Sequence, residues 1–515
     1  MKKVLSLLCL LLVAATILTG CSTTKTMSFE KFYKNYEYKD EYLTLDSYGS
    51  LGFSNASYRS LGNGLIAFTT SNGKSVEFYN ANTDSVVLTL DATYLQSYNA
   101  VSCFGHQFIL AVERKNDVYS TKLYDGNGNL VATKNGNSDL SYPYEVVSTR
   151  CDLLQFNGCI YRVNKDGSTT CLISNPLFGD LPYLDYKTED YYYYNDYDEV
   201  TVYDHDLNVV YYWEIPYDDY EEIFTVITSE DVIITQMVLP LPFDADKYDL
   251  FYEDVKYEVK SLAIDVESGK EKTLELDYVI YEIVYNSNEI YQSPDETSWI
   301  DDSIDNLAYI YPIVDKRLPS DVSGYYAAIN GKNGKIEYKL FEEFGGDMPY
   351  PIANDRFNVT LDSGDTHLID GNGKKIGTVN ILNSSNSYSN EVYIIYDGKI
   401  YDYNLKLKYD FVDADKEFVM MLSHGVLLRQ DSNYYIYTKD GDLKSINGSV
   451  STYNCTKSLV ISYNEGEYHF YNDHGEQLLN TTGSYASLIT YDLYAGYCIV
   501  SVTKNSTVSY YRFYA

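Results

Sequence analysis

Tryptophan appears twice in 515 residues, histidine six times and proline eleven times. Basic residues are also few: 39 Lys and Arg stand against 74 Asp and Glu, for a net charge of −35. That imbalance argues against nucleic acid and anionic headgroups as partners, and a charged partner would be cationic. Stretches rich in Ala, Leu, Lys and Glu are hard to find, which weighs against a helical fold. There is no phosphate-cradling glycine loop, no G-x-G-x-x-G entering a helix and no G-x-S-x-G elbow. His106, His205, His367, His424, His469 and His474 form no pattern with a nucleophile or with metal-ligand spacing. No catalytic residue, cofactor or metal ligand is therefore expected, and a non-enzymatic role is favoured.

Tyrosine is what the chain has in abundance, with 59 residues. It favours strands and offers an apolar body with a polar tip. A motif recurs in which an apolar-aromatic pair ends a strand, Asp, Asn or Thr follows, and a turn containing Gly or Asn leads onward. Leu123-Tyr124-Asp125-Gly126, Leu368-Ile369-Asp370-Gly371 and Phe470-Tyr471-Asn472-Asp473-His474-Gly475 are examples. The turn residues fall at 80, 125, 164, 204, 265, 330, 370, 402, 438 and 472, spaced by 32 to 65 residues and mostly near 40. Upstream Asn-Gly and Asp-Gly pairs, as at Asn72-Gly73, Asn157-Gly158 and Asp397-Gly398, mark tight hairpins.

A strand-and-turn period of about 40 residues resembles propeller-like repeats in general. The expected fold is all-β, a β-propeller-like array forming one large or two tandem propellers. Trp213 and Trp299 supply neither a Trp-Asp nor a Trp-Gly repeat, and the only Gly-Gly pair is Gly345-Gly346, so no specific propeller family matches. About eleven copies are counted. The close spacings of 32 to 36 near the C-terminus leave little room for four full strands. The chain ends at 508–514 in what reads as the second strand of a unit lacking its third, and a strand within Tyr48 to Tyr58 is expected to complete it.

Residues 1–21 carry a separate message. Lys2 and Lys3 precede an uncharged apolar run from Val4 to Leu18, which ends in Leu18-Thr19-Gly20-Cys21. The run has the layout of a secretory signal and is short for a membrane span. The tetrapeptide resembles the lipobox of bacterial lipoproteins. That resemblance implies cleavage before Cys21, acylation of its thiol, and lipid anchoring on the extracytoplasmic side of a bacterial membrane, at the cell surface or the periplasmic face. The expected organisation is a signal peptide at 1–20, a lipidated N-terminus and short tether at 21–49, and the repeat region at 50–515, with a division within 205–330.

The remaining residues offer little chemistry. Of the eight cysteines, Cys103, Cys151, Cys159, Cys171, Cys455 and Cys498 read as buried free thiols. Asp125-Gly-Asn127-Gly-Asn129 invites a calcium reading. The sixth and twelfth positions of that loop hold Leu130 and Gly136, where glycine and an acid are wanted, so turn chemistry is favoured. Around Tyr191-Tyr192-Tyr193-Tyr194 aromatics interleave with acids, and Tyr191, Tyr193, Asp196 and Asp198 are the expected ligand contacts. The alternative reading of that segment is an edge strand whose acids discourage pairing. The function expected is a binding or scaffold module for a protein, peptide or glycan. The alternative is a carboxylate-based glycan hydrolase or lyase on the same scaffold.

Overall fold

A computed structural model of the protein describes residues 25–26, 29, 43–136, 146–148, 152–157, 159–174, 184, 186–188, 190–195, 199–214, 222–240, 257–285, 306–313, 324–341, 344, 349–353, 355–361, 366–378, 388–492 and 495–515. Nearly all the regular structure among these is strand. It forms eleven sheets, each with four antiparallel strands, one of which also carries a short parallel fifth strand at its edge. In chain order they are sheet I (57–91), II (95–136), III (146–174), IV (186–214), V (222–274), VI (278–339), VII (350–378), VIII (388–410), IX (417–446) and X (449–482). Sheet XI (485–514) is completed by residues 47–54. The fold is therefore an all-β, propeller-like array. Four strands fit the close C-terminal spacings because first strands shrink, to Tyr388–Ser389 in VIII and Ser449–Val450 in X.

Each turn marker read from the sequence lies between the third and fourth strands of its sheet. Seven of these turns share one five-residue geometry. In sheet II, Asp125 N–H donates to Asn129 O at 2.9 Å, and Gly128 N–H donates to Asp125 O at 2.9 Å. Asp125 Oδ1 also accepts from the N–H groups of Asn127 and Asn129. The acidic or amide side chain thus replaces backbone partners that a tight bend cannot supply. The residue three places on takes positive φ, +82° at Gly128 and +70° at Gly475. Leu207 (+62°) and Leu405 (+58°) do the same without glycine's freedom. Leu207 is buried in the core between sheets III and IV, and Leu405 packs against that between VII and VIII, so burial offsets the strain.

Where a sheet packs between two others, its second and third strands are apolar on both faces. Leu65, Ile66, Ala67 and Phe68 are all buried in succession. The chain divides into two compact units, one built mainly from Pro216–Asn288 and Ile300–Met348 and the other from the flanking segments. In the first unit, sheets V and VI share a core of Val232, Ile234, Ile280, Ile310 and Ile329. In the second, packed pairs run IV–III, III–II, II–I, I–XI, XI–X, X–IX, IX–VIII and VIII–VII. Each fully buried Leu, Ile or Phe contributes about 1.5–3 kcal/mol to such a core.

The N-terminal strand is where the sequence places it, but its role differs by one position. Ser47–Ser54 pairs antiparallel with Thr507–Tyr514, which is the third strand of sheet XI. The missing strand is thus the fourth, because Tyr485–Asp492 and Tyr497–Lys504 supply the first two. Within the stretch expected as a tether, Lys25–Thr26 pairs in parallel with Ile336–Lys339 of sheet VI, and Phe29 is buried.

The tyrosines tie sheets to turns. Tyr393 O–H donates to Thr438 O at 2.8 Å in the next sheet, and Tyr510 O–H donates to Ala56 O. Burial raises the phenol pKa of Tyr79, Tyr192 and Tyr393 well above its ordinary value. Cys103 and Cys498 are buried thiols, whereas Cys159 is half-buried and Cys171 exposed. Burial pushes the Cys103 thiol up to about 12 and Cys455 up to about 11. Cys151 lies outside the described residues.

Candidate functional site

In a four-stranded meander, the turn between strands one and two and the turn between strands three and four lie at the same end of the sheet. These turns interlock from sheet to sheet in a regular way, the first turn of one sheet resting on the last turn of the next. From sheet II, His106 Nε2 lies 3.1 Å from Lys165 O in sheet III. Arg356 of sheet VII reaches Tyr403 O at 3.4 Å and Asn404 Oδ1 at 3.4 Å in sheet VIII. Within the other unit, Glu230 in the first turn of sheet V lies against Gly331 in the last turn of sheet VI, where a Cβ would collide with its Oε2. The result is a rim of turns whose backbone is fixed by the repeat and whose side chains are free to differ.

At one place on the rim the side chains converge. His424 occupies the first turn of sheet IX, and Asp473 and His474 the last turn of sheet X. Asp473 Oδ2 accepts from the backbone N–H of His424 at 3.0 Å and lies 2.6 Å from His424 Nδ1. The two imidazoles are parallel within 8°, with centroids 5.7 Å apart. Gly425 permits this approach, because a Cβ there would sit 2.9 Å from Asp473 O and 2.8 Å from Tyr437 O. The Asp473 side chain is 0% exposed, and its Oδ1 has no hydrogen-bond partner among the described residues. Leaving a buried acceptor unsatisfied costs about 1–3 kcal/mol, and more when it is charged. Thr44 Oγ1 lies 3.2 Å from His424 Nδ1, so the segment entering the N-terminal strand reaches the cluster. A further bond chain runs alongside, from Ser423 Oγ to Ser458 Oγ at 2.7 Å and from Ser458 Oγ to Leu43 O at 2.5 Å.

A second convergence lies between sheets III and IV, where Lys187 Nζ meets Asp152 Oδ2 at 2.6 Å, both side chains being nearly buried. Tyr192 O–H donates to Asp152 Oδ1 at 3.0 Å, and Lys187 Nζ sits 5.3 Å over the Tyr192 ring. Both carboxylate oxygens are thus satisfied. The arrangement reads as a paired internal charge that fixes the register of two sheets.

Two of the four ligand contacts expected from sequence, Tyr191 and Tyr193, fall in this region. Tyr193 is fully buried in the second strand of sheet IV. Tyr191, just before it, is half-buried, with its ring 6.4 Å from that of Tyr193. Asp196, Asp198 and Cys21 lie outside the described residues. Asp125, considered for calcium, spends Oδ1 on two backbone N–H groups and Oδ2 on Asn129 Nδ2 at 2.9 Å, which fits turn chemistry. Both His424 and His474 occupy turns, as their sequence positions imply. Their meeting is invisible in the sequence, because they are 50 positions apart and belong to different repeats.

No family model matches the chain, and no curated protein matches it. Among solved structures, a eukaryotic initiation factor is similar at 10% identity, covering 87% of this chain and 91% of its own, with a TM-score of 0.22. The Neurospora crassa Pan2 WD40 domain shows 8% identity, 65% and 96% coverage and a TM-score of 0.20. Hsv2 of Kluyveromyces lactis shows 8% identity, 82% and 98% coverage and a TM-score of 0.18. At those scores the fold assignment rests on the sheet topology of the chain itself.

Proposed function

We propose that the protein is a lipid-anchored, extracytoplasmic binding module that presents its rim of turns to a protein, peptide or glycan. The observation that carries this reading is the interlocked rim, in which a rigid repeated backbone offers variable side chains along one end of successive sheets. The net charge of −35 favours a cationic partner and disfavours anionic surfaces. Anchoring rests on the leader, whose charged start, apolar run and Leu18-Thr19-Gly20-Cys21 ending fit acylation at Cys21. Two or more acyl chains would hold the protein stably at a membrane.

Two experiments test the parts separately. Expressed in a bacterium and fractionated, the wild type is expected in the membrane fraction carrying metabolically incorporated fatty acid, and Cys21→Ser in neither state. A Cys21→Ser chain that stays membrane-bound overturns the anchor. For binding, the detergent-solubilised full chain is screened against glycan arrays and basic peptides. Saturable binding that is reduced by charge reversal on rim turns supports the module, and binding unaffected by any rim substitution overturns it.

A further inference from the structure

We propose that Asp473, His424 and His474 form a binding site for a divalent transition-metal ion of the zinc class, held between the turns of sheets IX and X. One ligand atom from each residue lies within 4.8 Å of the others. A tetrahedral ion with bonds of about 2.1 Å wants its ligand atoms about 3.3 Å apart. Side-chain rotations that move each atom by roughly an ångström would gather the set without moving the backbone.

The second observation is independent of that proximity. Asp473 is fully buried, its Oδ2 is anchored by two hydrogen-bonding contacts from His424, and its Oδ1 is buried without a partner among the described residues. Buried polar atoms are almost always satisfied in folded proteins, so such an atom asks for an explanation. A carboxylate pinned through one oxygen presents the other as a rigid single-point ligand. Its charge and two neighbouring imidazoles make an N₂O donor set. Zinc, cobalt, nickel and copper favour imidazole, whereas calcium and magnesium favour oxygen-only sets. Asp473 Oδ2 and Thr44 Oγ1 both lie against His424 Nδ1 and orient the ring, so the ligating nitrogen would be Nε2, as ligand imidazoles held by an outer contact require. His474, in the last turn of sheet X, is half-buried.

Such an ion would join two sheets and sit beside residues 43 and 44, where the chain enters the array. Metal uptake would therefore be coupled to the stability of this edge. The test uses the full chain in detergent, without a polyhistidine tag and stripped by a chelator. On titration with Co²⁺ the wild type is expected to take up one ion per chain, with the visible absorption of a tetrahedral site that Zn²⁺ then abolishes. His474→Ala changes only a half-buried turn residue, and Asp473→Asn keeps the volume. Each is expected to weaken uptake about tenfold or more. His367→Ala, which removes a histidine elsewhere, should leave uptake unchanged. No saturable uptake by the wild type overturns the proposal, as does Co²⁺ binding by His474→Ala as tight as that of the wild type. If Asp473→Asn does not fold, His474→Ala decides alone.

Discussion

Two stretches of the rim use the same backbone for different ends. Between sheets II and III, His106 rests on the turn that ends in Gly167, and its ring is spent on a carbonyl, Lys165 O. Between sheets IX and X, His424 rests on the turn that ends in Gly475, and its ring meets a buried carboxylate and a second imidazole. The turns are alike: Gly167 N–H donates to Asn164 O and Gly475 N–H to Asn472 O, at 2.9 and 3.0 Å. What separates them is the pair of residues after the turn's Asn, Lys165-Asp166 in one case and Asp473-His474 in the other. The repeat supplies position, and single residues supply chemistry.

The comparison can be broken most severely at His424. His424→Ala removes the ring nitrogen beside a fully buried carboxylate and is expected to destabilise the protein by about 3 kcal/mol, whereas His106→Ala should cost about 1 kcal/mol. Chemical denaturation of both variants measures the contrast, and equal losses would mean that the two stretches are energetically the same.

The turn glycines give a finer cut. A Cβ at Gly167 would lie 2.8 Å from His106 Nδ1 at φ +78°, while one at Gly475 meets only Lys444 side-chain atoms at 3.2 Å, at φ +70°. Gly167→Ala should therefore lose about 2 kcal/mol and Gly475→Ala about 1 kcal/mol, read as a larger fall in melting temperature for the first.

The smallest expected effect concerns the turn carboxylates. Asp204 is held below its ordinary pKa, first by the Asn208 side chain and then by backbone N–H groups of Asn208 and Asp206. A depressed folded-state pKa means that this stabilisation is present above the unfolded value near 4 and disappears as pH falls through the folded value. Asp204→Asn should leave stability at neutral pH little changed and make its decline below about pH 4 shallower, as acid titration of the melting temperature would register.

Much of this architecture was legible in the sequence, for a physical reason. The turn between third and fourth strands needs an acceptor side chain at its first residue and positive φ three places on, so it leaves a fixed trace such as Asp370 followed by Gly373. Where Leu207 or Leu405 replaces that glycine the trace fades, because core packing sustains the strained backbone instead. The completing strand was legible as well, although its place in the sheet differs by one, because both Tyr485–Asp492 and Tyr497–Lys504 precede Thr507–Tyr514 in the same sheet. The cluster at His424 was not legible. Its members come from two repeats, and only the docking of one turn on the next brings them together. A faint signal existed: in a chain with six histidines, two occupy rim turns roughly one repeat apart.

Sheet XI carries a consequence for biosynthesis. Val508 N–H bonds to Asn55 Oδ1 across 453 positions, and Ser47 pairs with Tyr514 next to the final residue. The strand at 47–54 has to wait until residues 507–514 have been made before it finds its partner. Until then the emerging array has an unpaired strand edge at its start, a surface that invites aggregation and chaperone attention. Closure of this sheet therefore links two segments made at widely separated times, and a chain lacking residues 507–514 would leave the strand at 47–54 unpaired.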